Sequence, residues 1–454
     1  LQQILEQRIA RQAWRAAIDT AIVHIRLALA RNATWIARRA LGQAKACLPR
    51  LRKQMGADSV LADLEREIAG MEKEVLLPVP AHELYDWLDE RSKQNEARDP
   101  EQEAEWLKLA AMQLPDNEQL VALASSALEA CHAADEAIAL LQTWRSRHPH
   151  TESPLLFELL GVLLRTRRFD EVLTLAKDYH ETLPHVAYWF EMQVAFGNED
   201  WAALESLSES MLATPEGSTK IAPLLMASRA AMKLRASERA IPRLRRAIAM
   251  LEEQEQETNN VLWDLITAAS IQQEWALVRE AGTKLGMKFD SEDGPIEENW
   301  GALRLRFREE HDYVYYLAQR TGTATARVFQ PAWPKAQQHL GDSVVFDVEL
   351  LNTPPEDEAE REYFIGLYDA VEIIEEGEYA PSWFVDGVYP GEELFGQFEN
   401  KVRELGGQVW VSSEGDYEIT DRENPQEPLP GVYFNLATPL SMLPQDRKST
   451  RLNS

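Results

Sequence analysis

Cysteine is nearly absent: the 454 residues contain two, Cys47 and Cys131, far apart and neither in a CxxC pair. A disulfide framework and a paired-thiolate zinc site are excluded, and a reducing compartment is the default. Long apolar runs are missing too. The nearest, Ala21 to Ala30, is interrupted by His24 and Arg26, so no segment reads as a membrane span. Positive charge is in deficit, with 47 Lys and Arg against 75 Asp and Glu and a formal net charge of −28. That balance opposes wholesale binding to nucleic acid or an anionic membrane. Catalytic signatures are lacking as well: HExxH, GxSxG, GxxxxGK[ST] and GxGxxG do not occur. Neither an enzyme activity nor a metal or cofactor is implied.

What is present is a folding chain, since 45% of it is apolar and can bury enough surface to offset chain entropy. Glycine divides it. Nine glycines lie in residues 1–300 and twelve in the 154 residues that follow. The first part is rich in Ala, Leu, Glu, Gln and Arg with apolar residues at three- and four-residue intervals, as in Leu120, Leu123, Ala124 and Leu128, which predicts helices. Beyond Trp300, stretches such as Val344–Leu350 and Gln408–Val411 read as strands between Gly, Pro and Asp clusters. The break falls near Asp290–Pro295.

Prolines recur at Pro115, Pro149, Pro184 and Pro215, spaced by 34, 35 and 31 residues. Each is expected to close a unit made of a first helix with a small residue, a polar turn and a second helix. In one copy Ser125 and Leu128 are followed by Ala134-Asp135-Glu136-Ala137, Leu141 and Trp144. The next sets Gly161 and Leu164 in the same places, with a turn one residue shorter, then Phe169-Asp170-Glu171-Val172, Ala176 and Tyr179. A third starts its second helix at Trp201 and carries Ala203, Leu207 and Ser210; a fourth has Ser228, Ala231, Ala240, Leu244 and Ala247. The period and grammar resemble the tetratricopeptide repeat family over roughly residues 80–290, with an earlier copy around Gln12–Ile18. Between Thr34 and Leu77 the phase is lost, which predicts an irregular helical hairpin or a degenerate copy.

The resemblance implies a helical solenoid whose first helices line a concave surface that binds an extended peptide or a partner helix. It implies a protein-interaction scaffold. Groove candidates are Ser126, Glu129, Glu158, Arg165, Arg229 and Lys233. A second candidate surface is the basic start of the chain, where residues 1–56 hold eleven basic residues against Glu6 and Asp19. There Arg8, Arg11, Arg15, Arg38 and Arg39 form a weak anion site for nucleic acid, phospholipid or an acidic protein, or a basic face that docks within the molecule. Elsewhere nucleic acid is disfavoured.

The expected organisation is a basic helical segment at 1–79, tetratricopeptide-like repeats at 80–295 and an α+β domain at 300–446 with a mostly antiparallel sheet, the whole being mainly α. Residues 447–454 turn abruptly polar and basic and read as a non-native tail, and the start at Leu1 inside a helical pattern leads us to expect residues before it. In the α+β domain, a hairpin turns at Arg320-Thr321-Gly322, and Phe364–Ile374 is expected to pair with Pro381–Val388 around Glu375-Glu376-Gly377. A helix begins at Pro390-Gly391-Glu392-Glu393, and Gly406-Gly407 ends it. Glu392 and Glu393 occupy the positive end of that helix and weigh against an anion there. Glu309-Glu310-His311-Asp312 has metal-ligand residue types without convergent geometry, and neighbours Cys131 and His132 make a poor nucleophile and base. Trp333, Trp383, Phe384, Phe395 and Phe398 are expected in the core of the sheet. The run from Phe384 to Val411 resembles acidic ferredoxin-like regulators of ribonucleases in element order only. The leading expectation is a cytoplasmic, bacterial-type scaffold with an acidic second contact surface at its C-terminal domain. The alternative is an acidic regulatory or inhibitory protein that acts on an enzyme with a basic site.

Overall fold

The computed structural model describes residues 1–31, 33–51, 56–71, 75–94, 98–309, 312–333, 335–420 and 427–442. The polar tail 447–454 lies outside them. The chain forms two compact units, 1–200 and 201–454.

The first unit is helical: α1 (Gln2–Ala10), α2 (Trp14–Ala30), α3 (Thr34–Cys47), α4 (Ala57–Met71), α5 (Leu84–Lys93), α6 (Pro100–Gln113), α7 (Glu118–Ala130), α8 (Ala134–Arg147), α9 (Pro154–Arg165), α10 (Phe169–Tyr179) and α11 (Pro184–Gly197). Side chains set several starts. Asp99 accepts from the amides of Glu101 and Gln102, Asn117 from Leu120 and Ser153 from Leu155, each satisfying a donor that the first helical turn leaves unpaired. Pro100, Pro154 and Pro184 stand at the first helical position, where a missing N–H costs nothing. Pro184 therefore opens a helix rather than closing one. The stretch where the repeat phase is lost forms α3 and α4, and residues 75–80 beyond them are irregular.

The second unit opens with α12 (Trp201–Leu212), α13 (Ala222–Lys233), α14 (Ser237–Glu253), α15 (Asn259–Ile271) and α16 (Trp275–Lys284). One turn geometry recurs across both units. Gln12, His132, Arg167, Glu199, Arg235 and Gln273 all take φ of 56–57°, and each stands two residues before a helix. At each, the next amide bonds back to a carbonyl five residues earlier, as from Ala133 to Leu128, Arg168 to Leu163 and Ala236 to Ala231. This closure satisfies the last carbonyls of the first helix. Aligned on that residue, the position seven earlier (Leu5, Ser125, Leu160, Met192, Ser228, Ile266) and the position five later (Ala17, Ala137, Val172, Leu204, Ala240, Val278) are buried every time.

The alignment corrects two register assignments. Leu160 and Leu163, not Gly161 and Leu164, match Ser125 and Leu128, and the turn keeps its full length. On α12 the buried face is Leu204, Ser208 and Met211, one residue beyond the expected Ala203, Leu207 and Ser210. Buried Glu205 obscured the apolar pattern there: it is taken inside by Arg243, whose Nη1 lies 2.7 Å away.

Strands follow: β1 (Ala302–Arg308), β2 (Tyr313–Arg320), β3 (Thr325–Val328), β4 (Ser343–Phe346), a short α17 (Glu358–Arg361) and β5 (Leu367–Glu375). They close into a five-stranded barrel, not an open antiparallel sheet. The expected β2–β3 hairpin is present, and closure comes from a parallel pairing of β1 with β5. Arg306 and Asp369 clamp that seam at 2.5 and 2.6 Å. Leu303, Leu305, Phe307, Tyr316, Val344 and Phe346 fill the interior, while Ala324 and Val345 join the apolar core of α13 to α16.

A separate small sheet completes the unit, with β6 (Trp383–Val388), α18 (Glu392–Glu404), β7 (Gln408–Val411), β8 (Glu418–Ile419) and β9 (Leu429–Ala437). β9 is central, between β6 and β7, and β8 pairs with its start. The expected pairing of 364–374 with 381–388 fails because β5 and β6 belong to different sheets. Gly377 explains the departure. Its amide bonds to Asp342 at 2.7 Å, and a Cβ there would lie 2.5 Å from the Leu340 carbonyl oxygen, so the chain is pinned away from a simple hairpin. Gly391, at φ 94°, turns the chain into α18.

Candidate binding surfaces

In the first unit three groove candidates form one ionic ladder. Arg165 at the end of α9 reaches Glu129 on α7 at 2.5 Å and Glu158 on its own helix at 3.7 Å. Its guanidinium lies over Gly161, where a Cβ would meet Nη1 at 3.0 Å. Ser126 is exposed on α7 beside this ladder. The remaining two candidates, Arg229 and Lys233, are exposed on α13 in the second unit. Arg229 acts on Asp264 of α15, which also feels Asp347 beyond β4. Asp264 is exposed at its surface on α15, yet loss of hydration among these elements, then repulsion by Asp347, push its pKa up to about 6 against the pull of Arg229.

The basic start of the chain is mostly engaged with protein. Arg8 donates to the Ala16 carbonyl at 2.9 Å and to the Thr20 hydroxyl, and Arg15 pairs with Asp19 at 3.2 Å. Arg39 donates to the carbonyls of Cys131 and His132 at the end of α7, lies 3.5 Å from Glu136 and stacks over Trp35. Glu136 gathers this contact, accepting from Trp35 Nε1 at 3.1 Å and Lys108 Nζ at 2.5 Å. Arg11 is exposed. Arg38 faces an open cleft of about 800 Å³ lined also by Trp35, Leu76, Glu105, Lys108 and Met112. Burial raises the Glu105 pKa there, opposed by Lys108 and Arg38.

Cys131 and His132 do not face one another: Cys131 is directed at the Pro100 carbonyl, 3.6 Å away, and His132 is the left-handed turn residue beside Glu6. Burial raises the Cys131 pKa, the reverse of an activated thiol. Glu310 and His311 lie outside the described residues. Among the described residues no three His, Cys, Asp or Glu side chains converge as metal ligands, and no helix is long and apolar enough to cross a membrane.

The C-terminal sheet overturns part of the expected core. Phe395 and Phe398 of α18 pack on Phe434 with ring centroids 5.6 Å apart. Phe398 nonetheless remains 37% exposed, and Trp333, Trp383 and Phe384 remain 54%, 49% and 39% exposed. Composition could not place Phe384, because which side of β6 the helix covers depends on the pairing with β9; Trp383 lies on the helix side but at the first position of the strand.

No protein-family model and no curated protein matches the sequence. Similar solved structures include residues 41 to the end of MamA from Desulfovibrio magneticus RS-1, at 12% identity and TM-score 0.30, with 40% of this chain and all of that one covered. A tetratricopeptide repeat protein from Parabacteroides merdae has 10% identity and TM-score 0.29, over 61% of this chain and 94% of its own. The TPR2AB domain of yeast Sti1 in complex with pHSP90 has 14% identity and TM-score 0.18, over 59% and 88%. The helical part of this chain is tetratricopeptide-like, on the strength of its own recurring turns and buried positions.

Proposed function

We propose that the chain is a protein-interaction scaffold that holds a peptide or helix of a partner protein along its first helices, with the acidic C-terminal region as a second contact surface and no catalytic role of its own. The recurrence of one turn and two buried positions supports this reading: it repeats within each unit and leaves Ser126 and Arg165 exposed in the first and Arg229 and Lys233 exposed in the second. A surface built by repetition suits an extended ligand.

Charge reversal in the full-length chain tests it. Glu129→Lys with Glu158→Lys in one variant, and Arg229→Glu with Lys233→Glu in another, are each compared with Asp170→Lys on the second helix α10, using quantitative affinity capture. At least one groove variant is expected to lose a partner that the α10 variant retains. Partners retained by both groove variants and lost by Asp170→Lys would refute the reading.

A further inference from the structure

The register of the small sheet sorts its side chains onto two faces. β6 pairs with β9 so that Trp383 opposes Leu436, Phe384 opposes Asn435 and Asp386 opposes Tyr433; β7 pairs so that Trp410 opposes Asn435 and Val411 opposes Phe434. Directly opposed residues share a face. Val385, Phe434 and Val411 therefore lie on the side that α18 covers. Phe384, Asp386, Tyr433 and Trp410 lie on the other side.

That second face carries a connected run of rings. Trp333 stacks on Phe384 with centroids 4.7 Å apart, Phe384 lies 5.9 Å from Tyr433, and Tyr433 meets Tyr417 edge-on at 4.9 Å. Tyr417 lies flat over Gly431, where a Cβ would come within 2.7 Å of its ring. Its hydroxyl donates to the exposed Asp386 carboxylate at 3.1 Å, so a negative charge stands among the rings. The adjoining loop adds exposed Glu414 and Asp416, and β8 opens with exposed Glu418. Among the described residues from 380 to 442 the only Lys or Arg are Lys401 and Arg403, both on α18.

We infer that this face is a docking surface for an arginine- or lysine-bearing segment of a protein partner. An arginine plane stacks on an aromatic face and pairs with a carboxylate in one placement, and the acidic surround attracts a basic segment. Rings on a sheet also stack nucleic-acid bases, but a phosphate backbone would here meet Asp386, Glu414, Asp416 and Glu418, against exposed Lys335 two residues from Trp333. The inference names a partner chemistry for the second contact surface proposed above, and it stands or falls separately from the groove.

The full-length chain is titrated with a fluorescent twelve-residue peptide of alternating Arg and Ser, its Lys counterpart and its Glu counterpart, read by anisotropy. Expected is binding in the order Arg, Lys, Glu, with a loss of about tenfold for Asp386→Asn and for Trp333→Ala. Gly431→Ala, which lifts Tyr417, lowers affinity too, whereas Glu399→Gln on α18 changes it less than twofold. Circular dichroism checks that each variant is folded. An equal loss with Glu399→Gln reduces the effect to general charge and overturns the site. So does no binding of the Arg peptide, tighter binding of a single-stranded RNA oligomer, or self-association in sedimentation that Trp333→Ala abolishes. The groove variants Glu129→Lys and Glu158→Lys should leave peptide affinity unchanged, which separates failure here from failure of the groove.

Discussion

Asp264 offers the sharpest test of the placement of the strands on the helices. Its carboxyl titrates near 6 in the fold against about 3.9 in an unfolded chain, so folding disfavours its charged form. The penalty is fully present above pH 6, shrinks as pH falls through 6, and is gone below about 4, where both states are protonated. A shift of this size corresponds to roughly 3 kcal/mol at full strength. Water still reaches Asp264 and screens it, which reduces the expected cost to about 1 kcal/mol. Asp264→Asn keeps the shape and removes the charge. At pH 7.5 the variant should be more stable by about that amount, the gap closing toward pH 4.5. Urea unfolding of both proteins at four pH values measures it, and hydrogen exchange at α15 assigns the change to this region. A gap that stays constant with pH, or a variant less stable at pH 7.5, would show that Asp264 is not desolvated between these elements as described.

Three shorter tests address the helical frame. Glu136→Ala strips the carboxylate from Trp35, Arg39 and Lys108 at once; with Arg39 still held by the carbonyls of Cys131 and His132, the loss should cost about 1–3 kcal/mol in chemical denaturation. Gly217→Ala should cost at least about 2 kcal/mol, since its Cβ would meet the Met211 carbonyl oxygen, whereas Gly161→Ala meets only the mobile end of Arg165 and should shift the melting temperature little. Replacing the left-handed Arg167 or Arg235 by Gly should stabilise by up to about 1 kcal/mol, and a loss in either would count against the shared turn.

The basic start illustrates what charge arithmetic can and cannot reveal. Eleven basic residues in the first 56 were legible as a surplus, and the two uses of that surplus were left open. The decision lay in partners distant in sequence: Arg39 serves carbonyls at 131 and 132, and Trp35 serves Glu136. No local pattern announces such pairs. The helices were legible because their spacing is local, and even the register errors at Gly161 and on α12 came from taking small residues as the anchor. The turn residue is the better anchor, yet four different residue types fill its six places, so its signal is conformational rather than chemical.

The strands were harder for the same reason. Alternation located β2, β3, β4, β5, β6 and β7, but the closing contact of the barrel is a parallel pairing between β1 and β5, about sixty residues apart in the chain. The central strand of the small sheet, β9, comes last. Until β9 is in place the two faces of β6 cannot be told apart, and Phe384 and Val385 look equally suited to a core. Once it is placed, alternation along β6 becomes informative. The helix takes one face, and the rings left on the other stand with an acid among them instead of apolar packing above them. Burial on one side and a charged aromatic surface on the other thus follow from one register, and a slip of one residue in the β6–β9 pairing would exchange them.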